Sequence, residues 1–373
     1  MSEKPSLEKL PLGERPPVRM VGDAPEPVKE LVSEHLASRL GEGHLDQLTE
    51  AQINALKSSE YEKRSYEKEA IAIANELTNQ ILEQSGVQPF DIPEQNVHIV
   101  PLELFNTFRG DSSSTSSSVI ATTYSNRYLI ISNGAEMRQK VTDGISTLFH
   151  EITHGKGYMA QELFESKNKK NEYGFATHRS GIRVDSTSKK SRGRDLSFTV
   201  FRGLNEGFVS LLEKNNFRML LQKITAPDIQ DEISWMEGEG AKELMQEISR
   251  KEDRPPDEIS WLSRDGKAYR FFPYYDQRRV LDFIIKSAVE DNSISSYEEG
   301  MGIFAKAHFR GNIVDLAKLV EATFGKETFG WLGLMNDDNS ARFILDRLQK
   351  KRRLLLAKRK KESDSKVEVG DEG

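Results

Sequence analysis

The residues of this chain best suited to chemistry are His150-Glu151-Ile152-Thr153-His154. Helical residues advance about 100° each, so His150 and His154 fall about 40° apart, one turn apart on one face. Two imidazoles so placed reach a single ion. Glu151 lies about 60° round from His154, where it can act on a metal-bound water without being a ligand. Ile152 points the opposite way, toward a core. With seven His and 38 Glu in 373 residues, chance supplies such a pattern about 0.01 times in a chain of this length.

A zinc site of this type needs a third protein ligand and an open position for water. Glu206, in Gly203-Leu204-Asn205-Glu206-Gly207-Phe208, is the expected third ligand. It begins a second strong helix whose Leu204, Phe208, Leu211 and Leu212 form a core face. Glu206, Ser210 and Glu213 share another face of that helix. His178, the nearest later histidine, and Asp185 are the alternatives. Asp143, Ser146 and Thr147 lie up to two turns before His150, and one of them is expected to orient a ligand imidazole.

These residues need elements to position them. Residues 1–27 hold six of the thirteen prolines and read as a disordered or extended arm. Helical patterns follow over about 28–40, 45–56 and 59–84, the last with Ala70, Ile71, Ile73, Ala74, Leu77 and Ile81 on one side. Val97–Pro101, Val119–Tyr124 and Tyr128–Ile131 read as strands. The serine run 111–118 between the first two reads as a flexible loop. The metal helix is expected as one piece over about 134–155, with a buried stripe of Met137, Val141, Ile145, Leu148 and Ile152. Residues 161–198 read as polar and partly looped, with a strand near 173–184. The Glu206 helix covers about 204–221, and only helices are expected beyond it. The resulting organisation is an arm (1–27), a helical region (28–90), an α+β catalytic core (91–225), an all-α C-terminal lobe (226–348) and a charged tail (349–373).

Composition narrows the function classes. No cysteine is present, which excludes disulfides, thiolate metal sites and cysteine nucleophiles. No run of 18 apolar residues and no leader pattern is visible, so a cytoplasmic location without a membrane partner is expected, with a secreted effector still open. The net charge of −6 gives no ground for a nucleic-acid partner. Residues 350–361 carry eight basic side chains in twelve. That run reads as solvated helix surface, partly neutralised by the acidic tail after it.

The order His-Glu-x-x-His followed by Leu-Asn-Glu-Gly-Phe resembles the gluzincin metallopeptidases, and most closely the aminopeptidase-N-like branch. The resemblance covers about 132–290. It implies a zincin-like core and one zinc ion per chain, held by His150, His154 and Glu206. Glu151 is then the general base that takes a proton from a metal-activated water attacking a peptide bond. It also implies that the tyrosine of a downstream Pro-Tyr motif donates to the oxyanion. Here Phe272-Pro273-Tyr274-Tyr275 places Tyr274 in that role, with Tyr275 as alternate, 68 residues after Glu206. The expected partner is a peptide or protein substrate, with strand Tyr128–Ile131 as the edge that pairs with it. Two features depart from the branch. The ligand Glu follows the second His by a long insertion, and the signature that anchors a free amino terminus is absent. The alternative reading is a catalytically silent, zinc-stabilised binding protein of the same fold.

Overall fold

The computed structural model describes residues 18–22, 24–30, 32, 50–109, 120–122, 129–165, 173–191 and 194–370. Expectations for the first 17 residues, most of the helix over 28–40, the serine run and Tyr128 lie outside the described residues. The elements in chain order are β1 (Val18–Val21), α1 (Glu50–Ser59), α2 (Ser65–Gln84), β2 (Val97–Val100), α3 (Leu102–Arg109), β3 (Ile120–Thr122), β4 (Leu129–Asn133), α4 (Gly134–Gln139) and α5 (Val141–Lys156). Then come β5 (Met159–Glu165), β6 (Tyr173–Ser180), β7 (Arg183–Ser191), β8 (Arg194–Val200), α6 (Arg202–Lys223), α7 (Gln230–Glu237), α8 (Glu239–Glu252), β9 (Ile259–Leu262) and β10 (Tyr269–Phe271). The chain ends with α9 (Tyr275–Glu290), α10 (Tyr297–Phe309), α11 (Ile313–Phe324), α12 (Thr328–Leu332) and α13 (Asp338–Gly370). The class is mixed α+β.

Two compact units divide the chain. One comprises residues 1–181 and 209–273, the other 182–208 and 274–373. The expected boundaries at 90 and 225 fall inside the first unit.

In the first unit, β4 lies between β2, its parallel partner, and β3, its antiparallel partner. This corrects the expectation that the strand ending at Ile131 is an edge. The short β3–β4 connection was legible, but the parallel partner arrives through a crossover containing α3. Among the described residues β2 and β3 are the two edges of this sheet, and β3 packs on α5. Strand β5 pairs in parallel with β1 and antiparallel with β6. The region read as partly looped is therefore largely strand. A further correction is the β9–β10 hairpin, where only helices were expected.

Helix α5 carries the two histidines and is buried almost all round. It is separated from α4 by Lys140, whose φ of −121° and ψ of 68° leave the helical region. The expected single helix over 134–155 is thus two. No side chain of its own caps the α5 N-terminus. Instead the Glu232 carboxylate of α7 faces the Val141 and Thr142 amides and accepts from Trp261 Nε1 at 3.0 Å. A carboxylate there satisfies orphan donors and complements the helix dipole. At the other end Lys156 is buried and its Nζ donates to the Asn75 carbonyl at 3.0 Å and to Asn79 Oδ1 at 2.8 Å, both on α2. Burial pulls its pKa down to about 7. Both ends of α5 are therefore fastened, and α2, whose Ala70, Ile71, Ala74 and Leu77 are buried, packs against it.

In the second unit, β7 and β8 form an antiparallel hairpin, and α9 to α13 pack around Phe304, Phe309, Leu316, Val320, Phe324 and Leu348, all fully buried. No helix among the described residues is long and apolar enough to cross a membrane.

Candidate metal centre

The imidazoles of His150 and His154 turn toward each other, with their Nε2 atoms 3.1 Å apart. Two nitrogens bound to one zinc at 2.0–2.1 Å and a tetrahedral angle would be about 3.3 Å apart. The spacing therefore fits a shared ion closely. His150 Nδ1 lies 2.8 Å from Glu213 Oε2. A carboxylate only accepts, so Nδ1 carries the proton and Nε2 presents its lone pair, as a metal ligand must.

Glu213 is 3% exposed, and its other oxygen accepts from Ser146 Oγ at 2.7 Å. Ser146 thus fixes a carboxylate that fixes an imidazole. Of the three candidates, Ser146 takes part, but the direct orienting residue is Glu213, which sequence reasoning did not assign. Asp143 instead accepts from Ser260 Oγ at 2.7 Å, and Thr147 donates to the Asp143 carbonyl. Burial raises the Asp143 pKa to about 6, with Glu213 and Glu136 adding to the effect against Ser260 and Arg270.

Glu206 and Glu213 stand seven residues apart on α6, hence within about 20° on one face. His150, His154 and Glu206 each offer one possible ligand atom, and these atoms all lie within 4.8 Å of one another. Two imidazoles and one carboxylate form a donor set suited to zinc, which in catalytic sites takes a water as its fourth ligand. The expected His–His–Glu group is thus brought together. The alternatives are elsewhere in role: Asp185 accepts from Thr199 Oγ1 at 2.6 Å and pairs with Arg183, and neither it nor His178 joins the group. Glu151 is buried on α5 beside the two histidines.

The turn of α6 that carries Glu206 is closely packed. A Cβ on Gly207 would lie 2.8 Å from Gln277 Cβ of α9, so glycine here permits the approach of that helix. Ser210 Oγ donates to the Pro273 carbonyl at 2.8 Å. These two contacts place the Pro273-Tyr274 segment along the Glu206–Ser210 turn. Tyr274 has a φ of +58°, a left-handed conformation that costs a non-glycine residue about 1–2 kcal/mol. It sits at the start of α9, whose Arg278 amide donates to its carbonyl at 2.9 Å. The Tyr275 ring is covered by Arg278 and Arg279, at 5.8 and 5.6 Å from its centroid.

No protein-family model, no curated protein and no solved structure matches the chain.

Proposed function

We propose that this protein is a zinc-dependent metallopeptidase of the gluzincin type, with a zincin-like core. The observation that carries the reading is the convergence of His150, His154 and Glu206, with Glu151 buried next to His150 in the chain. The His150–Glu213–Ser146 chain supports it, because ligand imidazoles are commonly held by a carboxylate.

When bound, zinc lowers the pKa of a coordinated water toward about 7 and polarises a carbonyl oxygen. Each of this chain's residues has a part beside that chemistry. His150, His154 and Glu206 hold the ion, and Glu213 keeps the His150 proton on Nδ1. Glu151 accepts a proton from the attacking water and delivers it to the leaving amine. Tyr274 donates its hydroxyl to the oxyanion, a contribution worth about 2.7–4 kcal/mol when one such donor is removed elsewhere. Strand β3, an edge strand that packs on α5, offers backbone groups to an extended peptide.

A mixed peptide library incubated with zinc-loaded protein, and separately with its Glu151→Gln form, tests the proposal. Cleavage by the wild type alone is the expected result. Equal cleavage by both forms contradicts the role of Glu151. Zinc binding without cleavage by either gives the silent binding protein.

A further inference from the structure

The motif residue next to the third ligand is tied to a buried histidine about a hundred positions away. Asn205 Oδ1 lies 3.0 Å from His308 Nδ1 and accepts from the Ile182 amide at 2.9 Å. An amide N–H needs an acceptor, so the Ile182 contact identifies the Asn205 atom as oxygen. His308 Nδ1 is then the donor. Both lone pairs of that oxygen are used. His308, on α10, is completely buried; its ring lies 5.5 Å from the Phe208 ring and edge-on to Phe309 at 4.6 Å.

We infer that His308 is a positioning residue for the Glu206 ligand, acting through Asn205. This rests on the proposed metal site and goes beyond it. Asn205 points about 100° away from Glu206 round the helix. Anchoring Asn205 therefore sets the rotation of the first turn of α6 about its axis. The Glu206 carboxylate stands about 6 Å from that axis, so a rotation of about 10° moves it about 1 Å. Metal–ligand distances tolerate about 0.2 Å. Phe208 also stacks on Phe304, and the close approach of Gly207 to Gln277 limits the turn further, but neither contact has the directional demand of two hydrogen bonds to one oxygen.

The test separates hydrogen bonding from packing. His308→Leu keeps apolar bulk and removes the donor. His308→Asn keeps an N–H near the Nδ1 position and loses bulk. Zinc affinity is measured by chelator competition on full-length wild type and both variants, with thermal melting of the metal-free forms alongside. The expected order is wild type, then Asn within about threefold, then Leu weaker by tenfold or more. That order must hold although Leu is the better packed of the two variants. Affinity that follows melting temperature instead, with Leu at or above Asn, overturns the inference. If His308→Leu fails to fold, His308→Asn decides alone: near-wild-type affinity supports the inference and a tenfold loss contradicts it. A wild type that binds no zinc refutes the underlying site, a separate result.

Discussion

His150 Nδ1 donates to Glu213 Oε2 across 2.8 Å, with both groups buried, and Ser146 Oγ donates to the other oxygen of the same carboxylate. Glu213→Gln can present an amide N–H where the imidazole needs an acceptor, and should lower zinc affinity about 10–100-fold. Ser146→Ala removes one hydrogen bond to a charged group, worth about 1.5–3 kcal/mol, and should lower affinity less than Glu213→Gln does. Chelator competition measures both. The opposite ranking contradicts the chain of support described above.

Gly207 has no space for a side chain, since Gln277 stands where its Cβ would be. Gly207→Ala should destabilise the protein by about 1–3 kcal/mol through overpacking. It should also lower zinc occupancy, because α6 must shift next to Glu206. Thermal melting and metal analysis report the two effects, and an unchanged melting temperature would argue against close approach of α9.

The two adjacent tyrosines differ in their engagements, Tyr275 being stacked under two arginines. Tyr274→Phe should lower kcat by about 10²–10³ with zinc retained. Tyr275→Phe keeps the ring and should change kcat little. A reversed pattern assigns the oxyanion donor to Tyr275.

Asp143 is a buried carboxyl whose pKa rises from 3.8 to about 6 on folding, chiefly through desolvation. The folded state then binds its proton more tightly than the unfolded chain. Its contribution to stability is fully present below pH 3.8 and is lost as pH rises through 6. Above that window the ionised group costs about 3 kcal/mol at most. Asp143→Asn keeps an acceptor for Ser260 and removes the charge. Its stability relative to wild type should therefore grow between pH 4 and pH 7, measured by denaturation of the metal-free protein. A difference independent of pH would show that the carboxyl titrates normally.

The grouping of the two histidines was legible because its signal is local. His150 and His154 share a helix face by spacing alone, and Glu206 opens a helix with a clear apolar stripe. Glu213 was visible on the Glu206 face, but nothing in the sequence tells which imidazole it meets. The Asn205–His308 contact spans 103 positions and has no local pattern. The break at Lys140 was hidden because the apolar stripe runs unbroken through it, while the cap that starts α5 comes from Glu232. The β9–β10 hairpin did carry a signal, Asp265-Gly266, with Gly266 at a φ of +69° and Ser263 and Ala268 closing the turn. Helical periodicity on either side outweighed it. Strand β4 was found, but its place in the sheet depends on a parallel partner that arrives through α3.

The decisive measurement is zinc content per chain, by plasma mass spectrometry of the purified wild type, Glu151→Gln and Glu206→Ala proteins after reconstitution. About one zinc is expected in the wild type, the same in Glu151→Gln and a marked loss in Glu206→Ala. A wild type without zinc, or a Glu206→Ala protein that binds as the wild type does, would contradict the proposed site.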